Sequence, residues 1–461
     1  MARHSSTALL AAALVAGAGA VGGHQSPPPA AQQPQPPQQP SEFELTISGE
    51  PGTPPHFAVP DFVAPSSDAE LTTAARTIGR VLWDDLDFER EFDLIPRDTY
   101  ASVPAARSFT EVPLDRWREL GADGVVVGFL QRSPGGVAVQ VRLFSVRRGQ
   151  SVFAREYSGS LANPRLYAHT IADEIHQQQR GLRGVARTRL TFSSDRDGEM
   201  VKGPTGPRAG KEIYIADYDG ANQRRVTVTR SLSIFPVWSS DGRALAYTSY
   251  RRGFPDIYVS HIYQGTLEAP ARGDERTHNW LASWSPDGSR MAFTSSRDGN
   301  PELYVMNGDG SGLRRLTTHP AIDSTPTWSP AGNEIAFTSD RSGAPQIYVV
   351  SADGGSPRRV TFESYADRPT WAPAPYNEIA FAARTGPGYD IKVYDVASGA
   401  QRQITFGEGS NESPAYASNG RHVAFTSTRR GKSQIFVIGR DGRGLKQLTT
   451  EGNNYTPDWS R

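Results

Sequence analysis

A large aromatic residue recurs at nearly constant spacing through the second half of this 461-residue chain. It falls at Trp238, Trp284, Trp328, Trp371, Tyr416 and Trp459, at intervals of 46, 44, 43, 45 and 43 residues. Stretches 283–317 and 327–361 show the unit clearly: a Ser-Pro-x-Gly turn, a β run ending Phe-Thr-Ser, a polar turn, a second β run, then Arg-Arg. A period of about 44 with four short strands is typical of a β-propeller blade. A solenoid is the main alternative, but it needs capping repeats and none is evident.

The two ends of the repeat region predict the number of blades. Residues 188–227 contain the second to fourth strands of a unit but no preceding aromatic strand. Residues 454–461 contain an aromatic strand without the rest of a unit. Pairing these fragments closes a ring of six blades and removes an open sheet edge, which would otherwise promote aggregation.

The region before the repeats mixes helical and strand patterns. Residues 68–86 carry apolar side chains at helical spacing, and 113–121 and 163–179 also indicate helices. Residues 56–62 and 92–97 indicate short strands, 124–146 a β-hairpin around Ser-Pro-Gly-Gly, and 151–157 a further strand. We therefore predict a small α/β domain over residues 43–183 and the propeller over 184–461, which together make an α+β fold.

The first 42 residues indicate export. Arg3 and His4 precede an apolar run from Ala8 to Val21, which ends in small residues. This pattern predicts a signal peptide over residues 1–22, because the run is shorter than the roughly 20 residues that span a membrane. A membrane anchor is the alternative. Residues 23–42 are rich in Pro and Gln and indicate an extended linker.

Composition limits the chemistry. The chain has no cysteine, which excludes disulfides, thiolate metal sites and a cysteine nucleophile. Its 49 basic and 49 acidic residues give no net charge, so no overall field attracts nucleic acid. We find no G-x-S-x-G, H-E-x-x-H or P-loop motif. The Asp-rich turns at Asp195, Asp298 and Asp340 are interpreted as turn chemistry with exposed ion pairs, although calcium binding is an alternative.

Several stretches resemble the TolB family, the periplasmic propeller component of the bacterial Tol–Pal system. They are GADGVVVGFL (121–130), GVARTRLTF (184–192) and DYDGANQ (217–223), together with the order of signal, α/β domain and six blades. The resemblance implies a non-catalytic monomer of the periplasm that supports outer-membrane integrity and cell division. Its implied partners are the lipoprotein Pal, the inner-membrane protein TolA and other outer-membrane proteins.

The segments just before each aromatic marker are the candidate binding site. Blade geometry predicts that they lie on one rim beside the channel, where loops on a rigid scaffold bind partners; plain solvated turns are the alternative. The resemblance implies Pal contacts for His278-Asn279 and for Ser324-Thr325, where the family usually has Thr-Glu. Blade equivalence adds further candidates: Asp323, Asp367, Arg368, Asn411 and Glu412.

The second candidate site is an arm at the start of the α/β domain. Phe43, Leu45 and Ile47 alternate with polar residues, which suits a strand added to the edge of a partner's sheet. An ordinary first strand of the domain is the alternative. The resemblance implies a TolA contact for this arm, although here the Pro/Gln linker precedes it.

We therefore expect a scaffold without a cofactor, leaving open a divalent cation in the channel. Two other functions remain open from the sequence. One is an exported propeller that binds peptidoglycan or another ligand, and the other is a propeller enzyme such as a lyase or peptidase accessory.

Overall fold

The computed structural model describes residues 53–203 and 206–461. The predicted signal peptide and linker, and the arm residues Phe43, Leu45 and Ile47, lie outside these described residues. Within them, no helix combines the length and the apolar character needed to cross a membrane.

The N-terminal domain is one five-stranded sheet with helices. Its strands are β1 (His56–Ala58), β2 (Asp93–Leu94), β3 (Gly124–Ser133), β4 (Gly136–Ser145) and β5 (Gln150–Gly159), in the sheet order β2-β1-β3-β4-β5. β1 runs parallel to both neighbours, whereas β3, β4 and β5 are antiparallel. The helices are α1 (Ala69–Glu89), α2 (Leu114–Glu119) and α3 (Pro164–Arg180), with a 3₁₀ helix at Arg97–Ser102.

Helix α1 forms where the sequence predicts it, because a capping residue stands at its start and its apolar residues recur at helical spacing. The Asp68 carboxylate accepts a hydrogen bond from the Leu71 backbone N–H at 3.0 Å, which caps the helix. Leu71, Ile78 and Leu82 are buried on one face, as helical spacing requires. α1 packs against α3 on the sheet, and the same apolar cluster continues into the propeller.

The propeller consists of six four-stranded sheets, which confirms the predicted fold class. Blade 1 contains β6 (Arg189–Ser194), β9 (Glu212–Asp217) and β10 (Arg224–Arg225), with a hairpin of β7 (Met200–Gly203) and β8 (Gly206–Ala209) inserted after β6. Blade 2 contains β11 (Ser233–Trp238), β12 (Ala244–Ser249), β13 (Asp256–His261) and β14 (Thr266–Glu268). Blade 3 contains β15 (Asn279–Trp284), β16 (Arg290–Ser295), β17 (Glu302–Asn307) and β18 (Arg314–Arg315).

The remaining blades repeat this plan. Blade 4 contains β19 (Asp323–Trp328), β20 (Glu334–Ser339), β21 (Gln346–Ser351) and β22 (Arg358–Arg359). Blade 5 contains β23 (Ala366–Trp371), β24 (Glu378–Arg384), β25 (Tyr389–Asp395) and β26 (Gln401–Gln403). Blade 6 contains β27 (Asn411–Tyr416), β28 (His422–Arg430), β29 (Lys432–Gly439) and β30 (Lys446–Gln447).

Strand β31 (Asn454–Trp459) closes the ring. It pairs antiparallel with β6 and becomes the inner strand of blade 1, so that sheet reads β10-β9-β6-β31. The aromatic marker at its end, Trp459, is buried and donates from its indole N–H to the Thr188 hydroxyl at 2.7 Å. The markers fill the wedge between neighbouring sheets, since Trp328 packs in one cluster with Ala292 of blade 3 and Ile335 of blade 4.

Buried polar contacts join the N-terminal domain to blades 1 and 6. The Asp85 carboxylate of α1 accepts a hydrogen bond from the Tyr218 hydroxyl of blade 1 at 2.6 Å and contacts His169 Nδ1 of α3 at 2.8 Å. One helical turn later, Glu89 pairs with Arg421 of blade 6 and accepts a bond from the Val185 N–H at 2.7 Å. Burial raises the pKa of Glu89 to about 7, against the influence of Arg421.

Candidate protein-binding site

Each inner strand of the propeller contains a β-bulge at the same place. The register against the neighbouring strand slips between the second and fifth residues in all six blades. The third residue then has a left-handed backbone, with φ of 51° at Thr325 and 54° at Arg368, although none of the six is glycine. The six third residues are Phe235, Leu281, Thr325, Arg368, Ser413 and Thr456.

These bulges direct six side chains into one ring, which we call the channel mouth. The third residues line a cavity of about 140 Å³, together with the prolines or alanine that follow them. Arg368 of blade 5 reaches across the mouth, and its guanidinium carbon lies 4.7 Å from the ring centroid of Phe235 in the opposite blade 2. The channel mouth is therefore narrow, partly apolar, and carries a cation over an aromatic ring.

His278 lies beside the channel mouth, one residue before the inner strand of blade 3. Its backbone N–H donates to the Ser296 hydroxyl at 3.1 Å, which fixes the loop. Its half-buried ring lies between Phe254, stacked at a centroid distance of 6.4 Å, and Trp280, in edge contact at the same distance. The position agrees with a rim residue that offers an aromatic surface.

Three predicted site residues are buried. Asn279, Asp323 and Asn411 are the first residues of their inner strands, and their relative exposure is 0%. Asp323 pairs with Arg341 at 2.7 Å, and burial raises its pKa against that bond. Asn411 donates to Asp390 at 3.0 Å and accepts from Ser427 at 2.7 Å. These three candidates therefore present no side-chain surface to a partner, because the start of each strand has its polar anchor inside the blade.

The arginines of the polar turns also differ from the expected exposed pairs. Arg341 is only 15% exposed, and its guanidinium reaches back to the Ser339 hydroxyl at 2.9 Å as well as to Asp323. Arg429 does the same with Ser427 and Asn411. Side-chain hydrogen bonds and ion pairs therefore tie these turns to the inner strand, and this holds the channel mouth in a fixed shape.

The remaining predicted residues are half-buried around the channel mouth. Ser324, Asp367 and Glu412 are second residues of their strands, and Thr325 and Arg368 are third residues. The Thr338 hydroxyl donates to Asp367 at 2.8 Å and accepts from Thr325 at 2.7 Å, so blades 4 and 5 are linked there. The structure thus brings Thr325, Asp367 and Arg368 together.

Sequence reasoning missed four residues of the channel mouth: Phe235, Leu281, Ser413 and Thr456. The available signal was the proline two residues before the aromatic marker, present at positions 236, 326, 369, 414 and 457. The residue before each of these prolines is the bulged one. That repeated X-Pro-X-aromatic pattern would have identified the ring.

The channel wall contains one notable carboxylate. Asp458 is the fifth residue of β31 and lines the channel, and its carboxylate accepts from the Trp238 backbone N–H at 2.7 Å. Burial raises the pKa of Asp458 to about 6. Among residues 53–203 and 206–461, no group of three or more His, Asp or Glu residues is arranged to hold a metal ion.

The described residues of the N-terminal domain contact the propeller away from the channel mouth. Its contacts with the propeller use Tyr218, Asn419, Arg421 and Asp441, which lie at turns near the aromatic ends of the inner strands. The channel mouth lies near the opposite ends of those strands. A partner can therefore reach His278 and Arg368 without displacing the N-terminal domain.

Two family models match this chain. The TolB beta propeller domain matches residues 177–385 and 362–461, and the TolB amino-terminal domain matches residues 43–152. The crystal structure of TolB from Acinetobacter baumannii superimposes with a TM-score of 0.74 at 25% identity, covering 88% of this chain and 97% of that chain.

Curated relatives agree with the family models. The Tol-Pal system protein TolB of Desulfosudis oleivorans is 35% identical over 208 residues, which cover 45% of each chain. The protein of the same name from Anaeromyxobacter dehalogenans strain 2CP-C is 37% identical over 278 residues, or 60% of this chain and 61% of the relative. The matched regions thus span only about half to three fifths of the length of these relatives.

Proposed function

Since this chain belongs to the TolB family, we propose that it is a non-catalytic periplasmic scaffold of a Tol–Pal system. In this proposal the channel mouth and His278 bind a Pal-like lipoprotein, and the arm at Phe43, Leu45 and Ile47 binds a TolA-like protein. The scaffold then supports outer-membrane integrity and cell division, and contacts with other outer-membrane proteins would serve the same role.

One observation carries the proposal for Pal. The channel mouth is a preformed ring on a rigid scaffold, with an aromatic surface at His278 and a cation at Arg368, and the described contacts of the N-terminal domain lie elsewhere on the propeller. Protein interfaces are commonly anchored by aromatic and arginine side chains in well-packed pockets. The turns of Arg341 and Arg429 are already held by side-chain bonds, so they lose little conformational entropy on binding, which favours affinity.

The test is calorimetric titration of the full chain with the purified Pal-like protein of the same organism. We expect His278→Ala and Arg368→Ala each to weaken binding by about tenfold or more, as for hot-spot residues. The matched control is Arg147→Ala, in the exposed turn between β4 and β5. If the two site variants bind as tightly as the control, or if the Pal-like protein does not bind the parent chain, the proposal is wrong.

The arm is tested separately. Replacing Phe43, Leu45 and Ile47 with Ser removes the apolar side of the alternating pattern while keeping the length of the segment. We expect capture of a purified TolA-like protein to be lost and binding of the Pal-like protein to be unchanged. Retained TolA capture would show that the arm is not the contact.

A further inference from the structure

A groove runs between blades 1 and 2 on the side of the propeller, away from the residues that form the channel mouth. Its volume is about 360 Å³. One wall is the segment that begins with β10 in blade 1, and the other contains residues of β12, β13 and β14 in blade 2. Blade 2 departs from the repeat here. Its outer strand β14 lacks the Arg-Arg pair that forms the outer strand in blades 3 and 4, and an irregular segment follows it up to Thr277.

The charged side chains that line this groove are all basic. Arg224 and Arg225 come from blade 1 and Arg251 from blade 2, and no Asp or Glu among the described residues is part of the lining. Arg225 is already neutralised by Asp197, Glu199 and Glu212, all within 3.3 Å. Arg224 and Arg251 are exposed and form no ion pair with any described residue.

Comparison between blades shows why Arg224 has no partner. At the equivalent place in blade 4, Arg358 pairs with Glu334 at 3.2 Å, and in blade 5, Arg402 pairs with Glu378 at 2.8 Å. The ladder registers place Arg189 where those glutamates stand. Blade 1 therefore has two arginines where blades 4 and 5 have an arginine and a carboxylate, and blade 3 resembles blade 1, since Arg290 stands at the glutamate position of the strand next to Arg314.

Apolar side chains lie along the same groove. Val228 on the blade 1 wall is 71% exposed and Leu267 on the blade 2 wall is 44% exposed. Apolar surface rimmed by polar residues marks interaction sites, and arginine is enriched in protein interfaces. Arg251 also lies over the Tyr258 ring, with its guanidinium carbon 5.4 Å from the ring centroid. Arg224 and Arg251 stand on opposite walls, and each wall also contributes one of the two exposed apolar residues.

We propose that this groove is a second protein-docking site, which binds an extended partner segment that places carboxylates on either side of an apolar side chain. The carboxylates pair with Arg224 and Arg251, and the apolar side chain covers Val228 and Leu267. The site is independent of the channel mouth and goes beyond the function proposed above.

The test is photo-crosslinking in the native cell, with the full chain carrying benzoyl-phenylalanine in place of Val228. Mass spectrometry then sequences the linked segment. We expect a protein segment with Asp or Glu on both sides of an apolar residue, and we expect its yield to fall about tenfold in Arg224→Glu/Arg251→Glu, since both ion pairs would be replaced by like-charge repulsion. The matched control is Arg147→Glu/Arg148→Glu in the exposed turn after β4, which should leave the yield unchanged.

Three outcomes would overturn the inference: a linked segment without acidic residues, a yield equal in the groove variant and the control, or no protein adduct at all. Sedimentation with phosphatidylglycerol vesicles provides the other arm. Vesicle binding that depends on Arg224 and Arg251, without a protein adduct, would assign the groove to anionic lipid instead. The groove variant should bind the Pal-like protein normally, so failure here is distinguishable from failure of the proposed function.

Discussion

The hydroxyl of Tyr218 joins the propeller to the N-terminal domain, and its removal should weaken that joint measurably. Tyr218 and Asp85 are each 1% exposed, and their oxygens are 2.6 Å apart. A hydrogen bond to a buried charged group contributes about 1.5–3 kcal/mol. Tyr218→Phe leaves Asp85 with His169 as its remaining side-chain partner, so we expect a loss of about 2 kcal/mol.

Asp85→Ala should cost more, because it leaves the Tyr218 hydroxyl and His169 Nδ1 buried without their partner. Breaking a buried polar network by removing its centre costs about 3–5 kcal/mol. The double variant Asp85→Ala/Tyr218→Phe should lose less than the sum of the two single variants. The coupling energy of this cycle should be about 1.5–3 kcal/mol.

The assay is urea unfolding followed by tryptophan fluorescence and by far-UV circular dichroism. In the parent chain the two signals should change together, whereas in Asp85→Ala the N-terminal domain should unfold at lower urea than the propeller. The matched control is Tyr214→Phe, which removes a hydroxyl bonded to Asp197 at 2.7 Å inside the propeller. That control should shift the midpoint without separating the signals. A coupling energy below about 0.5 kcal/mol, or separation in the control, would refute the role of Asp85.

Three further predictions concern the ring and the titrating groups. Burial raises the pKa of Asp458 from 3.8 to about 6, so the free energy of unfolding falls as pH rises through this range. Asp458→Asn should therefore raise the free energy of unfolding by up to about 3 kcal/mol at pH 7.5, seen as a higher melting temperature, and should have little effect at pH 4. Equal effects at both pH values would contradict this. Burial lowers the pKa of His169, but Asp217 and Asp85 outweigh this effect and raise the pKa to about 9. The stabilisation from protonated His169 is therefore complete below pH 6.5 and is lost as pH rises through 9. In His169→Asn the urea midpoint should change less between pH 6 and 9.5 than in the parent chain. Trp459→Ala should lower stability by about 3–5 kcal/mol in calorimetry, because it empties the wedge beside the closing strand, and a loss below about 1 kcal/mol would mean that closure does not depend on this packing.

The ring could be predicted from the sequence because its determinants are local and repeated. The aromatic marker and the Gly turns recur at the same offsets, and the incomplete first unit could be completed only by the strand around Trp459. The repeated residues of the blades therefore indicated both the strand order and the closure of the ring. The same repetition misled the assignment of surface residues, since Asn279, Asp323 and Asn411 look like loop residues in sequence but anchor the strand from inside.

The rest depended on contacts between segments that are distant in sequence. Asp85 and Tyr218 are 133 residues apart, and no motif links them. The cation over Phe235 comes from the opposite blade, so neither residue stands out alone. The groove at Arg224 became visible only when the ladders of blades 1, 4 and 5 could be compared position by position.

The N-terminal domain rests on the two blades that ring closure brings together. Tyr218 belongs to blade 1, which β31 completes, and Asn419 and Arg421 belong to its neighbour, blade 6. Opening of the ring at the β31–β6 junction would pull these blades apart, and it would have to break either the contact of Asp85 with blade 1 or the contacts of Glu89 with blade 6. The N-terminal domain thus bridges the two blades that are joined through the pairing of β31 with β6, which is where the described ring closes. A force applied to this domain would act directly on that junction.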